Sequence, residues 1–274
     1  EEALEQVKQV PEVPFFQEDI CVGVVCGGSD ATSGITSNPA VGNAFDRIVQ
    51  SGGTALFENT GELIGLEEIL SKRAATEPLA EELKNAVHKA ARYYAVMGHG
   101  SFAPGNAEGG LTTQEEKSMG AYCKTGTASI KGMIKPADMP PDKGLYLMDI
   151  VPDGQPRFGF PNPNDSSEIA ELIASGAHCV LFTTGRGSVV GSAISPVIKV
   201  CANPDTYKRM SGDMDINAGR ILLDEADVEM VGEEIFETIF GLVKGRRTCS
   251  ELLGHQEFVL GYKTFEPAGP SCLP

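Results

Sequence analysis

The 274-residue chain has no tryptophan, no C-x-x-C pair and no apolar run near the roughly 20 residues that a membrane-spanning helix needs. The missing C-x-x-C disfavours a zinc ribbon or a thioredoxin-like centre. Positive charge is scarce: 22 Lys and Arg face 38 Asp and Glu, a net charge of -16. That deficit argues against duplex nucleic acid, which rewards cations that neutralise phosphates, and against an anionic membrane surface. A small anionic substrate remains compatible, because a cleft can be locally basic in an acidic protein. Three sequence hallmarks are also missing. No G-x-G-x-x-G follows the first strand, no G-x-x-x-x-G-K-[ST] occurs, and there is no G-x-S-x-G nucleophile elbow. The acidic, amphipathic residues 1–13 do not read as a signal peptide.

What is present points to a globular α/β chain. Hydrophobic residues make up 41% and can fill a sizeable core, while 32 glycines and 17 prolines imply many tight turns. The length suits one large domain or two small ones. Seven cysteines (Cys21, Cys26, Cys123, Cys179, Cys201, Cys249, Cys272) are odd in number and scattered. Cys21, Cys179 and Cys201 sit in apolar runs and are expected to be buried thiols, which fits a reducing cytoplasm.

The run Ile20 to Cys26 reads as a buried parallel strand. A glycine- and serine-rich turn follows, then Asn38-Pro39 as a helix cap with Pro at the first helical position. Apolar spacing continues that helix to Gly52-Gly53, and residues 54–57 form the next strand. Residues 66–74 and 77–97 read as helices, 98–113 as a loop, and Thr113 as the start of a short helix. Residues 145–151 form a strand and 152–165 an exposed loop. Ser166 caps a helix ending near Gly176. Residues 178–182 and 197–200 are strands, 226–243 is an amphipathic helix, and Leu252-Leu253 belongs to a short final one. This alternation predicts an α/β sheet with helices on both faces and ligands at the carboxyl ends of its strands.

Four glycine-rich segments could carry chemistry. CGGSDATSG (26–34) exposes backbone amides after a strand, and Cys26 and Asp30 could ligate a metal; a loop kept for its turn geometry is the equal alternative. PGNAEGGLTTQEEK (104–117) sets Glu115, Glu116 and Lys117 near a helix start, where acids often serve only the helix dipole. Lys117 could fix a carboxylate or act as a base. In FTTGRGS (182–188), Arg186 lies between two glycines and suits bidentate carboxylate binding. DMDINAG (213–219) alternates Asp213, Asp215 and Asn217, oxygen ligands suited to Mg²⁺, Ca²⁺, Mn²⁺ or Fe²⁺; it departs from a calcium loop in its glycine position, and a simple turn is the alternative. His88 and His178 read as packing residues, His255 lies near the carboxyl end, and His99 in the glycine loop is a minor acid/base candidate.

Taken together, the four segments, written out as CGGSDATSGITSNPAVG, PGNAEGGLTTQEEKSMG, FTTGRGSVVG with PVIK, and DMDINAG, resemble the altronate/galactarate dehydratase family in order and approximate spacing. The GNAEGGLTTQEEK segment and the GHQEFVL tail are also similar to the large subunit of sulfolactate sulfo-lyase. The resemblance implies a Rossmann-like variant with a mostly parallel sheet. Residues 1–19 would be a linker or amino-terminal extension, and 20–274 the catalytic carboxy-terminal α/β domain of a longer dehydratase. It implies a divalent metal, Fe²⁺ first and Mn²⁺, Mg²⁺ or Ca²⁺ next, and a homo-oligomer. It also implies a preceding portion or small β-rich subunit that helps complete the active site. The expected reaction removes the proton beside a sugar-acid carboxylate, expels the neighbouring hydroxyl and yields a 2-keto-3-deoxy acid. On that reading Arg186, Lys117, Lys199 and Glu116 are catalytic candidates. Gly27, Gly28, Ser29, Asn106, Thr184, Gly185 and Asn217 are substrate-binding candidates, and Cys26, Asp30 and Asp215 are metal candidates. Release of sulfite from sulfolactate, or a noncatalytic ligand-binding fragment, are the rival readings.

Overall fold

A computed structural model describes residues 5, 6, 9, 11, 13–58, 60–97, 102, 104–154 and 164–259. His99, Cys272 and most of the loop expected over 152–165 lie outside them. The described residues build one seven-stranded sheet from β1 (Cys21–Cys26), β2 (Thr54–Glu58), β3 (Ile130–Ile134), β4 (Gly144–Met148), β5 (Cys179–Thr184), β6 (Val197–Cys201) and β7 (Ile216–Asn217). The order is β3-β4-β2-β1-β5-β6-β7, and every neighbouring pair is parallel. β1, β2, β4, β5 and β6 are buried at every position, which is why they read as apolar runs rather than alternating ones. β3 was not expected from the sequence. It is an edge strand whose Lys131 is exposed and whose Gly132 breaks the apolar pattern.

The helices are α1 (Ser37–Gln50), α2 (Glu67–Ser71), α3 (Glu77–Met97), α4 (Pro104–Glu108), α5 (Gln114–Cys123), α6 (Asp165–Ala174), α7 (Pro204–Arg209), α8 (Val228–Val243) and α9 (Cys249–Leu253). On one face, Val22, Val24, Phe57, Leu147 and Leu181 pack with Phe45 and Ile48 of α1, Leu83 of α3 and Ile235 of α8. On the other, Val25, Leu56, Met148 and Phe182 pack with Ile169 and Leu172 of α6. The expected helices-on-both-faces architecture is therefore present. No described helix is long and apolar enough to cross a membrane. Burial pushes the thiols of Cys21 and Cys179 up to about 12 and that of Cys201 up to about 11, as inert core groups.

Two caps differ from the expectation for a physical reason. α1 starts at Ser37 with Thr36 before it, because the Asn38 amide donates instead to the Gly120 carbonyl at 2.9 Å. α6 is capped by Asn164, whose side chain accepts from Ser167 N, rather than by Ser166. Thr113 caps α5 as expected, accepting from Glu116 N at 3.1 Å. The short α4 forms inside the stretch read as loop, and α7 follows an Asn203-Pro204 start of the kind that favours a first turn.

After β1 the chain moves to β2 on one side, while β5 pairs on the other. The strand order therefore reverses at β1. A parallel sheet opens a crevice at the carboxyl ends of the strands on either side of such a reversal. Residues 26–34 and 182–188 leave β1 and β5 there.

Candidate functional site

Three of the four glycine segments meet at this crevice. The first and third are laced together by backbone bonds: Gly27 N donates to Thr183 O at 2.9 Å, and the Gly28 carbonyl accepts from both Gly185 N and Arg186 N at 3.0 Å. Thr184 Oγ1 donates to the same carbonyl at 3.3 Å and accepts from Gly187 N at 3.0 Å. Gly185 has to be glycine, since a Cβ there would lie 2.1 Å from Asp30 Oδ1. The second segment docks on the first through Ala31 N to Gly109 O at 2.9 Å. Arg186 Nη1 donates to the Gly105 carbonyl at 3.1 Å, and Nη2 lies 3.6 Å from Glu108 Oε2. Arg186 is thus half-exposed at the junction of the loops, over α4, which also carries Asn106.

A cleft of about 210 Å³ lies beside this junction, lined by Ser29, Asp30, Ser33, Asn38, Glu116, Lys117 and Gly120 among others. Lys117 is mostly buried, and its Nζ lies 3.6 Å from Glu62 Oε1. The other Glu62 oxygen accepts from Lys124 Nζ at 2.5 Å. Burial opposes the Glu62 charge, but Lys124 and Lys117 outweigh it and hold this carboxyl below its usual range. Lys124, fully buried, is pushed the other way: burial disfavours its charge, while Cys26, Glu62 and Glu58 raise it overall. Glu58 ends β2 and Glu168 lies in the first turn of α6, both buried. Two lysines and three glutamates thus gather behind the cleft at the strand ends. Glu58, Glu62, Lys124 and Glu168 were missed in the sequence, because each stands alone between apolar or loop residues without a motif. The one available signal was a carboxylate closing an apolar strand, TALFE.

Glu116 faces solvent, and Thr112 N and Oγ1 both donate to its Oε2, at 2.7 and 2.5 Å. Those bonds, the side-chain one first, hold the carboxyl below its usual range. Glu116 thereby ties the first turn of α5 to Thr112, the residue before its cap.

Lys199 and the fourth segment lie apart. Asp215 accepts from Lys199 N and Cys249 N at 2.8 Å each, which staples β6 to the start of α9. Lys199 has no exposed surface and no hydrogen-bond partner for its Nζ among the described residues, and burial pushes it down against the pull of Asp215. Asn217 ends β7 beside Cys201, with its Oδ1 buried and unpartnered among the described residues. This segment reaches the crevice only indirectly. Gly219 packs on Pro204, and the neighbouring Asn203 donates to Asp30 Oδ2 at 3.0 Å.

The metal candidates do not gather. Cys26 Sγ pairs with Ser29 Oγ at 3.0 Å, and burial pushes the thiol up, with the Glu62 charge adding to it. Asp30 Oδ1 accepts from Thr32 N, Thr32 Oγ1 and Ser33 Oγ, while Oδ2 takes Asn203. Asp215 is spent on backbone amides. Among the described residues no three Cys, His, Asp or Glu side chains could hold a metal together. The donor set expected from Cys26, Asp30 and Asp215 therefore does not fit an ion, and no chemistry is derived through one.

Comparison with known proteins identifies a family. The family model for the D-galactarate/altronate dehydratase C-terminal region matches residues 17–265. The chain is 34% identical over 272 residues to (2R)-sulfolactate sulfo-lyase subunit beta of Chromohalobacter salexigens, covering 94% of this chain and 65% of that one. It is 32% identical over 274 residues to galactarate dehydratase (L-threo-forming) of Escherichia coli, covering 98% and 49%. To altronate dehydratase of the same organism it is 30% identical over 250 residues, covering 90% and 48%. It spans about two thirds of the first relative's length and about half of the other two. With the family model matching nearly the whole chain, the chain belongs to the D-galactarate/altronate dehydratase C-terminal family.

Proposed function

We propose that the chain is the part of a hydro-lyase that holds a hydroxylated carboxylate of the altronate or galactarate type and helps convert it to a 2-keto-3-deoxy acid. The observation that carries the reading is Lys117, set on the wall of a glycine-loop cleft and backed by the buried Glu62–Lys124 pair. A proton beside a carboxylate is weakly acidic, so the enediolate formed by its loss needs cationic support in a partly dry site. Arg186, at the loop junction, is the group for the substrate carboxylate. Lys117 faces the charge that develops and, once it has released its own proton, is the base for the α-proton. The backbone lacing of Gly27, Gly28, Gly185 and Thr184 holds these groups in register, with Ser29 on the cleft lining for a substrate hydroxyl. Because the relatives are longer, a further segment or a second subunit is proposed to complete the site.

Sulfite release is the second reading, favoured by the 34% identity to a sulfo-lyase subunit. Incubating the complete protein anaerobically with galactarate, altronate and sulfolactate separates the two. The expected product is a 2-keto-3-deoxy acid; sulfite without any keto sugar acid would reject the first reading.

A further inference from the structure

Glu58, the last residue of β2, has no part in the reaction as written above. It is 1% exposed, and neither carboxyl oxygen meets a hydrogen-bond donor among the described residues. Buried polar groups nearly always find partners, so an orphaned carboxyl needs a reason. Its place supplies one. β2 runs parallel to β1, so Glu58 ends it at the same edge of the sheet as the loops 26–34 and 182–188. Strand alternation puts Glu58 on the face of Leu56, the face covered by α6. The first turn of α6 brings Glu168 there. Lys124, Glu62 and Cys26 are its other ionisable neighbours, and Tyr94 of α3 lies close enough to feel its charge. Burial first, then Glu168, drives the Glu58 carboxyl well above the usual carboxylate range, with Lys124 opposing. A carboxyl in that environment holds a proton it can give away. Glu116, the acid suggested by the sequence, is instead exposed and taken up by Thr112.

We propose that Glu58 is the acid of the elimination, its carboxyl facing the hydroxyl that departs. The inference rests on the hydro-lyase reading above and names a residue for its second half. The C–H electron pair becomes the carbon–carbon double bond, and the C–O pair leaves with the oxygen. The Glu58 proton completes the departing water, while the carbon proton resides on Lys117. Ketonisation then returns the Lys117 proton to the methylene carbon and the enol proton to Glu58, so both groups are reset. The unmet oxygens of Glu58 find their donor and acceptor in the substrate hydroxyl.

The test uses the complete protein. Glu58→Gln keeps the shape and cannot give a proton. It is expected to lower kcat on the sugar acid about 10²–10⁴-fold with KM nearly unchanged, and Glu58→Asp is expected to recover part of the loss. Infrared difference spectra at neutral pH are expected to show a protonated-carboxyl band that Glu58→Gln removes and that bound galactarate shifts. A folded Glu58→Gln enzyme that keeps its kcat would overturn the inference and leave the hydro-lyase reading intact. If the wild type forms no keto acid at all, the reading of function fails separately. A protonated-carboxyl band that is missing, or that ignores the bound acid, overturns the role of Glu58 in either case.

Discussion

The middle of the sheet and its β6–β7 edge use the same kinds of residue in opposite ways. At β1 and β2, carboxylates and lysines turn toward one another behind a cleft: Glu62 is shared by Lys117 and Lys124, with Glu58 and Glu168 beside them. At β6 and β7, Asp215 turns back on the chain and spends both oxygens on amides, leaving the Lys199 ammonium without a partner among the described residues. Both regions carry glycine-rich segments that look alike in sequence. The difference lies in what the side chain meets: another side chain at a crevice, or the protein's own backbone. A carboxylate bound by amides fixes a loop, whereas one bound by a cleft-wall lysine fixes that side chain in the cleft.

The largest effect that would break this contrast is expected at Glu62. Glu62→Ala strands the buried Lys124 charge and should cost about 3–5 kcal/mol in a urea melt. Replacing both by Leu and Met should restore most of it, because the uncompensated charge is gone. A single variant with unchanged stability would mean the pair is not buried as described. Next comes Asp215→Ala, which removes two charge-assisted backbone bonds and should cost about 2–3 kcal/mol. Its affinity for a hydroxy acid, read by calorimetry, should stay put; a large loss of affinity would move Asp215 into the site. Gly185→Ala drives a methyl into Asp30 and should cost about 1–3 kcal/mol, with weaker substrate binding. Lys199→Met should change stability by no more than about 1 kcal/mol, toward greater stability, since an unpartnered buried ammonium is replaced by an apolar chain. A marked destabilisation would show that Lys199 has an acid to pair with.

The pH dependence sharpens the same contrast. Glu58 keeps its proton to a higher pH in the fold than in the unfolded chain. Above the ordinary glutamate range the folded state therefore binds more protons than the unfolded one, and stability falls as pH rises. Glu58→Gln should flatten that slope in melts between pH 5 and 8. An unchanged slope would contradict an uncharged Glu58.

Much of the scaffold was legible, for a simple reason. Strands buried on both faces, such as Cys21–Cys26 and Cys179–Thr184, announce themselves as apolar runs, and α8 shows its stripe. The edge strand β3 did not, because solvent lets it carry Lys131 and Gly132. For the site, the glycine loops were visible because close backbone approach leaves a compositional mark, as at Gly185 against Asp30. The charge cluster was not. Glu58, Glu62, Lys124 and Glu168 come from a strand end, a 3-10 turn, a helix end and a helix start, and only the parallel topology brings them together. Lys199 and Asp215 were read with the loops because they share the glycine-rich context, although Asp215 is held by backbone amides that a sequence does not display.

The proposed site puts the chemistry at the β1–β5 crevice and not at the β6–β7 edge. Amide NMR of the 29.0 kDa chain titrated with galactarate tests it directly. Shifts concentrated at residues 26–34, 104–117 and 182–188, with 213–219 and Cys249 unmoved, are the expected result. Perturbation centred on Asp215 and Lys199, with Gly28, Lys117 and Gly185 silent, would contradict the account.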